Sequence, residues 1–197
     1  MCLKESHELN MPDAQVVYYP QFFNKDRADS LLANLLNTTP WQQDTITVFG
    51  KTYLQPRLTA FFANNNKVYK YSNITMQPHN FQGDLLEIKK EVENVVGTEF
   101  TSCLANLYRD GQDSNGWHAD DEKSLGKNPI IASISLGSER IFQFKHKTHK
   151  NLREKLVLEH GSLLVMRGKT QHNWLHQIPK TRKPVAKRIN LTFRIIQ

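Results

Sequence analysis

The segment Asn106 to Asp120 closes on Gly116-Trp117-His118-Ala119-Asp120, in which an imidazole and a carboxylate stand two positions apart, with a further acid at Asp121. In an extended segment, side chains at i and i+2 leave the same face, so both could reach a single ion. A lone His-x-Asp is common in surface turns, and a third ligand has to come from elsewhere in the chain. Two histidines qualify, His172 and His176, in Gln171-His172-Asn173-Trp174-Leu175-His176-Gln177-Ile178-Pro179. They lie four apart, so strand parity does not separate them. Two histidines and one carboxylate around an ion with open positions form the donor set that suits non-haem ferrous iron.

A second group of polar residues sits at the C-terminal end. Arg188-Ile189-Asn190-Leu191-Thr192-Phe193-Arg194-Ile195-Ile196 alternates polar and apolar residues, the mark of a half-buried β-strand. Period two gathers Arg188, Asn190, Thr192 and Arg194 on one face, and Ile189, Leu191, Phe193 and Ile195 on the core face. Two arginines on one side of a buried strand need anions, because an uncompensated buried charge is costly. Their backbones stand about 20 Å apart at strand rise, and the inward lean of two long side chains leaves a gap of small-diacid size. Two sources of anion fit: a dicarboxylic acid gripped at both ends by guanidinium forks, or Asp and Glu residues of the chain itself.

The elements that must position these groups follow from pattern. Asn24-Lys25-Asp26, followed by Ala28, Leu31, Leu32, Leu35 and Leu36, predicts a capped amphipathic helix. A second helix is predicted over Leu85 to Val96, with Ile88, Val92 and Val95 inward and Gly97 as its stop. Between them, Ile46 to Phe49 and Tyr53 to Phe62 read as strands or hairpin arms. Beyond Gly97 the pattern turns to short strands: Ser102 to Tyr108, Ile130 to Leu136, Arg140 to Lys145, Lys155 to Glu159, Ser162 to Met166, Asn173 to Ile178 and Arg188 to Ile196. Antiparallel strands behind two helices predict an α+β domain built on a double-sheet jelly roll, able to hold a metal and a small molecule between its sheets.

With 197 residues the chain suits one well-filled domain, so 1–197 is expected to be a single unit, about 1–97 helices and hairpin arms and about 98–197 jelly-roll core. A net charge of +7 favours a polyanionic partner. The late cations, among them Lys145, Lys147, Lys150, Arg153 and Lys155, could form a phosphate-contacting rim. Cys2 and Cys103 show no disulfide or metal spacing, in keeping with a reducing compartment. No apolar stretch reaches membrane-spanning length. The expectation is a monomer free of the membrane, cytoplasmic, or nuclear in a eukaryotic source.

Taken in order, Asn106-Leu107-Tyr108, Gly116-Trp117-His118-Ala119-Asp120-Asp121-Glu122, Ser133-Ile134-Ser135-Leu136-Gly137, Gly161-Ser162-Leu163-Leu164-Val165-Met166 and Arg188 to Arg194 resemble the AlkB family of Fe(II)- and 2-oxoglutarate-dependent dioxygenases. The resemblance runs from about residue 100 to the C-terminus. It implies that His118, Asp120 and His176 hold iron, His176 being preferred to His172 because the family's distal ligand sits just before a short segment ending in proline. It implies that Asn106 and Tyr108 hydrogen-bond 2-oxoglutarate, that Arg188 takes its distal carboxylate and Arg194 the chelating one, and that Asn190 and Thr192 assist. The fold implied is a double-stranded β-helix (jelly-roll) core with N-terminal helices and a nucleotide-recognition lid.

In the N-terminal half, Val48-Phe49-Gly50-Lys51, Gln55-Pro56-Arg57 and Tyr69-Lys70-Tyr71-Ser72 look like the lid of members acting on duplex DNA. Phe49 would then be a wedge filling the gap of an extruded base, Tyr71 would stack on that base, and Gly50, Lys51, Arg57, Tyr69 and Lys70 would lie along the lid. Asp121 and Glu122 would meet the exocyclic amine or the charge of an alkylated base. Ordinary hairpin packing is the plain alternative for Phe49 and Tyr71. Leu175, where an aromatic is frequent in relatives, and the additional His172 leave base preference open.

The activity implied is oxidative demethylation of N-alkylated bases such as 1-methyladenine and 3-methylcytosine in DNA. Ferrous iron, 2-oxoglutarate and O2 are consumed or held, and formaldehyde is released from the hydroxymethyl adduct. RNA, or protein, is the alternative substrate for the same domain. A nucleic-acid-binding module with a vestigial site and a zinc hydrolase are the rival classes, and the latter lacks an evident general base. Asp120→Ala is expected to abolish turnover with the fold nearly intact, and Phe49→Ala to impair duplex repair more than single-strand repair.

Overall fold

A computed structural model of the chain describes residues 4–48, 50–64, 69–71 and 74–197. Strands β1 (His7–Glu8) and β2 (Gln15–Tyr19) precede helix α1 (Lys25–Thr38). Then come β3 (Thr45–Val48), β4 (Lys51–Leu54), β5 (Leu58–Ala63), β6 (Tyr69–Tyr71), β7 (Ile74–Met76) and helix α2 (Gly83–Val96). The second half runs β8 (Ser102–Tyr108), β9 (Asn115–His118), β10 (Ile131–Gly137), β11 (Arg140–His146), β12 (Arg153–Leu158) and β13 (Ser162–Arg167). One helical turn, α3 (Thr170–Asn173), leads into β14 (Trp174–Ile178) and β15 (Arg188–Arg194).

Two sheets make the core. A seven-stranded major sheet has the order β1-β2-β13-β10-β15-β8-β5, and a four-stranded minor sheet the order β12-β11-β14-β9, all pairs antiparallel. The remaining pairs, β3 with β4 and β6 with β7, form two small ribbons outside the core. This is the expected jelly roll, with the N-terminal helices behind it.

Both helices lie on the outer face of the major sheet. Asn24 caps α1 by accepting from the Arg27 amide at 2.9 Å, and Gly97 ends α2 in the left-handed region at φ 71°. Ala28, Leu31 and Leu35 of α1, and Leu85, Ile88 and Val92 of α2, pack on Cys103, Ala105, Ile134, Leu191 and Phe193 of the sheet. The inward set of α2 differs slightly from expectation: Val96 is buried and Val95 only partly so. The opposite face of the major sheet meets the minor sheet through a second cluster that includes Tyr108, Ile131, Met166, Phe144 and Trp174.

This layering corrects the reading of β15. All seven of its residues are buried, not just the apolar half. Period two still sorts them: Ile189, Leu191 and Phe193 go to the helices, while Arg188, Asn190, Thr192 and Arg194 go between the sheets. The strand pairs with β10 on one side and β8 on the other, so helices and minor sheet cover it completely. Gly137 lies opposite Arg188 in that ladder at φ +95°, and a Cβ there would stand 2.3 Å from the Lys187 carbonyl oxygen. Only glycine lets β10 approach the start of β15 this closely.

Beyond shifts of one or two residues at element ends, two expected segments differ in kind. The arm expected over Tyr53 to Phe62 is two strands, broken at Gln55-Pro56-Arg57, where proline has no amide to give a ladder. The segment expected as strand from Asn173 opens with α3 instead, and β14 starts at Trp174.

Candidate active site

The metal-ligand candidates meet between the sheets. Ligand atoms of His118, Asp120 and His176 all lie within 4.8 Å of one another, and they form the only such group of His, Cys, Asp or Glu among the described residues. His118 ends β9 and pairs with His176 of β14, their rings 4.3 Å apart and edge-on. His176 is buried and stacks on Phe142, 5.2 Å away. His172, the alternative distal histidine, sits exposed in α3, where its Nε2 accepts from the Asn128 amide at 3.3 Å. The preference for His176 thus agrees with the geometry.

One premise of the spacing argument does not hold. Asp120 lies two residues past the end of β9, outside any strand, so parity along a strand is not what aims its carboxylate. Its position comes from partners. Arg194 Nη2 donates to both carboxylate oxygens, at 2.9 and 3.0 Å, and the Asp120 amide donates to Gln171 Oε1 at 2.9 Å.

The electrostatics favour a metal. Burial alone would raise the Asp120 carboxyl, yet the charges of Arg194 and of the two histidines outweigh it and hold the group at about 2. Burial pushes His176 down to about 3, with His118 adding to the effect, and burial likewise lowers His118. Two neutral imidazoles beside an ionised carboxylate are the protonation states a cation requires. His118 Nδ1 lies 2.7 Å from the Gly116 carbonyl oxygen. That contact assigns the proton to Nδ1 and makes Nε2 the acceptor, which the Asn115 Nδ2 amide meets at 3.2 Å and which a metal would use in its place.

The cosubstrate candidates line the same cleft. Arg188 is 1% exposed, donates from Nη2 to Ser135 Oγ at 2.8 Å, and lies over the Tyr108 ring with its guanidinium carbon 5.2 Å from the centroid. Its Nε and Nη1 are buried with no partner, and no carboxylate pairs with it among the described residues. Burial draws its guanidinium down to about 10, Tyr108 only partly opposing this. A buried cation with donors to spare has the chemistry to accept an anion. Asn106 Nδ2 lies 3.3 Å from Asn190 Oδ1, which also accepts from Thr192 Oγ1 at 2.9 Å, while Asn190 Nδ2 donates to Ser133 Oγ at 2.7 Å. The residue types and the orphaned guanidinium fit a metal chelated by a diacid.

Ser133 and Ser135 were missed by the sequence reading, although their signal was available. They are the two hydroxyls at period two in the otherwise apolar strand β10, and both face the cleft. Gln171 left no pattern to read.

The proposed substrate contacts divide. Phe49 lies outside the described residues. Gly50, at φ +73°, turns the chain between β3 and β4, Lys51 opens β4 on the surface, and Tyr69, Lys70 and Tyr71 form β6. Arg57 is turned inward instead of along the lid: it is 5% exposed, its Nε donates to Asn106 Oδ1 at 2.8 Å and its Nη1 to the Ser114 carbonyl at 3.3 Å. Asp121 is held by Lys147 Nζ at 2.8 Å. Glu122 keeps a buried Oε2 without a partner, and burial, followed by the neighbouring Asp120 charge, raises its carboxyl.

A jelly roll holding two histidines, a carboxylate and a buried arginine between its sheets is the architecture of a non-haem iron oxygenase. The family model of the 2OG-Fe(II) oxygenase superfamily matches residues 15–194. Alpha-ketoglutarate-dependent dioxygenase alkB homolog 3 of Bos taurus is 42% identical over 192 residues, covering 93% of this chain and 66% of that protein. DNA oxidative demethylase ALKBH2 of Arabidopsis thaliana is 36% identical over 211 residues, covering 93% and 67%. The solved structure of OsALKBH1 superposes with a TM-score of 0.70 at 18% identity, covering 97% of this chain and all of that one, a likeness of fold. The chain belongs to the AlkB family within that superfamily, whose cofactors are ferrous iron and 2-oxoglutarate, with O2 as oxidant. It spans just under two thirds of the length of the alkB homolog 3 proteins it matches. No helix among the described residues is long and apolar enough to cross a membrane.

Proposed function

We propose that the chain is a single catalytic domain that oxidatively demethylates N-alkylated bases in DNA, with 1-methyladenine and 3-methylcytosine as its substrates. The observation that carries this is the grouping of a half-buried His118 with the buried Asp120 and His176 and, in the same cleft, an Arg188 that no carboxylate among the described residues meets. The names of the relatives, a DNA oxidative demethylase among them, direct the reading to nucleic acid. The net charge of +7 suits a polyanion.

In this reading His118, Asp120 and His176 hold the iron, which with 2-oxoglutarate and O2 supplies the oxidising power. The protein does the rest by placement. Arg188 takes the distal carboxylate, with Tyr108 stacked beneath its guanidinium and Ser135 fixing its fork. Asn106, Asn190 and Thr192 hold one another in a chain of hydrogen bonds along the cosubstrate's flank. Arg194 keeps Asp120 ionised and aimed, and lies ready for the chelating carboxylate. Glu122, half-buried with an acceptor to spare, is the group offered to an alkylated base, and Asp121 acts with its charge already shared by Lys147. Phe49, Gly50, Lys51, Tyr69, Lys70 and Tyr71 are the residues assigned to contact an extruded base, and Arg57 holds Asn106 from the cosubstrate side.

Mass spectrometry of methylated oligonucleotides incubated with ferrous iron, ascorbate and 2-oxoglutarate tests this. Formaldehyde release and restored bases on methylated DNA are expected. Turnover confined to RNA or to methylated peptides would move the substrate class, and no turnover on any of them would leave a binding module.

A further inference from the structure

Asp120 is a metal ligand that no strand holds. Its amide is buried with the rest of the residue, which is 1% exposed, and a buried amide without an acceptor is costly. The acceptor comes from a side chain 51 positions away: Gln171 Oε1, at 2.9 Å. Gln171 is itself 1% exposed, and its Nε2 reaches Met166 Sδ at 3.4 Å. This fixes which way its amide faces, with oxygen toward Asp120. It stands in α3, the turn that leads directly into the strand bearing His176. One side chain therefore ties the segment of the carboxylate ligand to the segment of the distal histidine.

Lys147 braces the same junction. Its Nζ donates to the Gln171 carbonyl at 2.9 Å and to Asp121 Oδ2 at 2.8 Å, and its amide donates to the Asn173 carbonyl at 2.7 Å. It follows β11 directly, so the latch joins three chain segments around the metal ligands. Arg194 governs the carboxylate of Asp120, whereas Gln171 governs its backbone. The two act on different degrees of freedom.

We infer that Gln171 is a positioning residue for the metal, setting the backbone of Asp120 through its amide oxygen, with Lys147 as its brace. The inference rests on the metal reading of the triad. Outer partners of this kind are worth about 10- to 100-fold in metal affinity. Gln171→Met keeps the length and removes the acceptor. Gln171→Glu restores an acceptor at the same reach, and Lys147→Met removes the brace together with the cation that pairs with Asp121.

The experiment is calorimetric titration of the full chain with Mn(II) alone, together with the d–d spectrum of the Co(II)-loaded protein and thermal unfolding of the metal-free protein. Gln171→Met should bind Mn(II) about 10- to 100-fold more weakly with an altered Co(II) spectrum, Lys147→Met severalfold more weakly, and Gln171→Glu should recover the wild-type spectrum. Wild-type affinity and spectrum in Gln171→Met would overturn the latch and leave the triad standing. A wild-type chain that takes up no Mn(II) would instead overturn the metal reading itself. Should Gln171→Met fail to fold, the decision passes to Lys147→Met, and unchanged affinity there overturns the latch.

Discussion

Arg188 and Arg194 share a strand, a face and near-complete burial, yet they are solved differently. Arg194 has a carboxylate of its own chain, Asp120, on both oxygens. Arg188 has a serine hydroxyl, an aromatic face and two donors with nothing to meet. Of the two anion sources that the sequence left open, an acid of the chain itself serves Arg194, and none among the described residues serves Arg188. A buried cation with an internal partner is part of the fold's own electrostatics, whereas one without a partner is stability given up for a ligand. The contrast makes opposite predictions for the two ends of β15.

The largest effect is expected at the Arg194 end. Asp120→Ala removes one partner of a buried ion pair, and breaking such a pair costs about 3–5 kcal/mol. The sequence-based expectation of a nearly intact fold therefore changes: urea unfolding of the metal-free variant should show a loss of that order, alongside loss of Mn(II) binding and turnover. Asp120→Asn keeps shape and one oxygen acceptor and should fall between. An Asp120→Ala variant as stable as wild type would erase the distinction between the two arginines.

What the sequence could and could not tell follows the same division between local and distant causes. The face shared by Arg188, Asn190, Thr192 and Arg194 was legible because period two is a property of the backbone itself. So were the cap at Asn24 and the stop at Gly97, each written within a turn of its helix. That β15 is covered on both faces was not legible, because a strand's place in the sheet order depends on β8 and β10, far away in sequence. His118 and Asp120 do meet, but through Arg194 and Gln171, and not through strand parity. Side chains that act over 51 or 74 positions leave no spacing to find.

The next effect comes from the histidine that completes the triad, and it sharpens the Arg194 end by pH. His176 titrates at about 3 in the folded chain, because burial disfavours its cation and His118 adds to that, against 6.5 for an unperturbed imidazole. The unfolded chain takes up a proton that the folded chain refuses. Stability of the metal-free protein is therefore complete above about pH 6.5 and declines as pH falls toward 3. Between pH 7 and pH 5 the contribution is on the order of 2 kcal/mol. His176→Gln should lose that slope, which urea unfolding at the two pH values would measure. An equal slope in both proteins would place the titration elsewhere.

The smallest change in stability, and the one of opposite sign, is expected at the Arg188 end. Arg188→Met keeps most of the side-chain volume and removes a buried charge that has no carboxylate in the chain. Replacing buried ionic groups by apolar ones of similar size is often neutral or stabilising, so the metal-free variant should gain about 1 kcal/mol, or about 2–4 °C in Tm for a chain of this length. The lost contacts with Ser135 and Tyr108 set a limit on that gain. Binding should move the other way: charge-assisted hydrogen bonds contribute about 1.5–3 kcal/mol each, which corresponds to a 2-oxoglutarate affinity about 10- to 100-fold weaker, read as a raised KM with kcat nearly kept. A fall in Tm with unchanged cosubstrate affinity would mean that Arg188 serves the fold after all, and that the two ends of β15 do the same work.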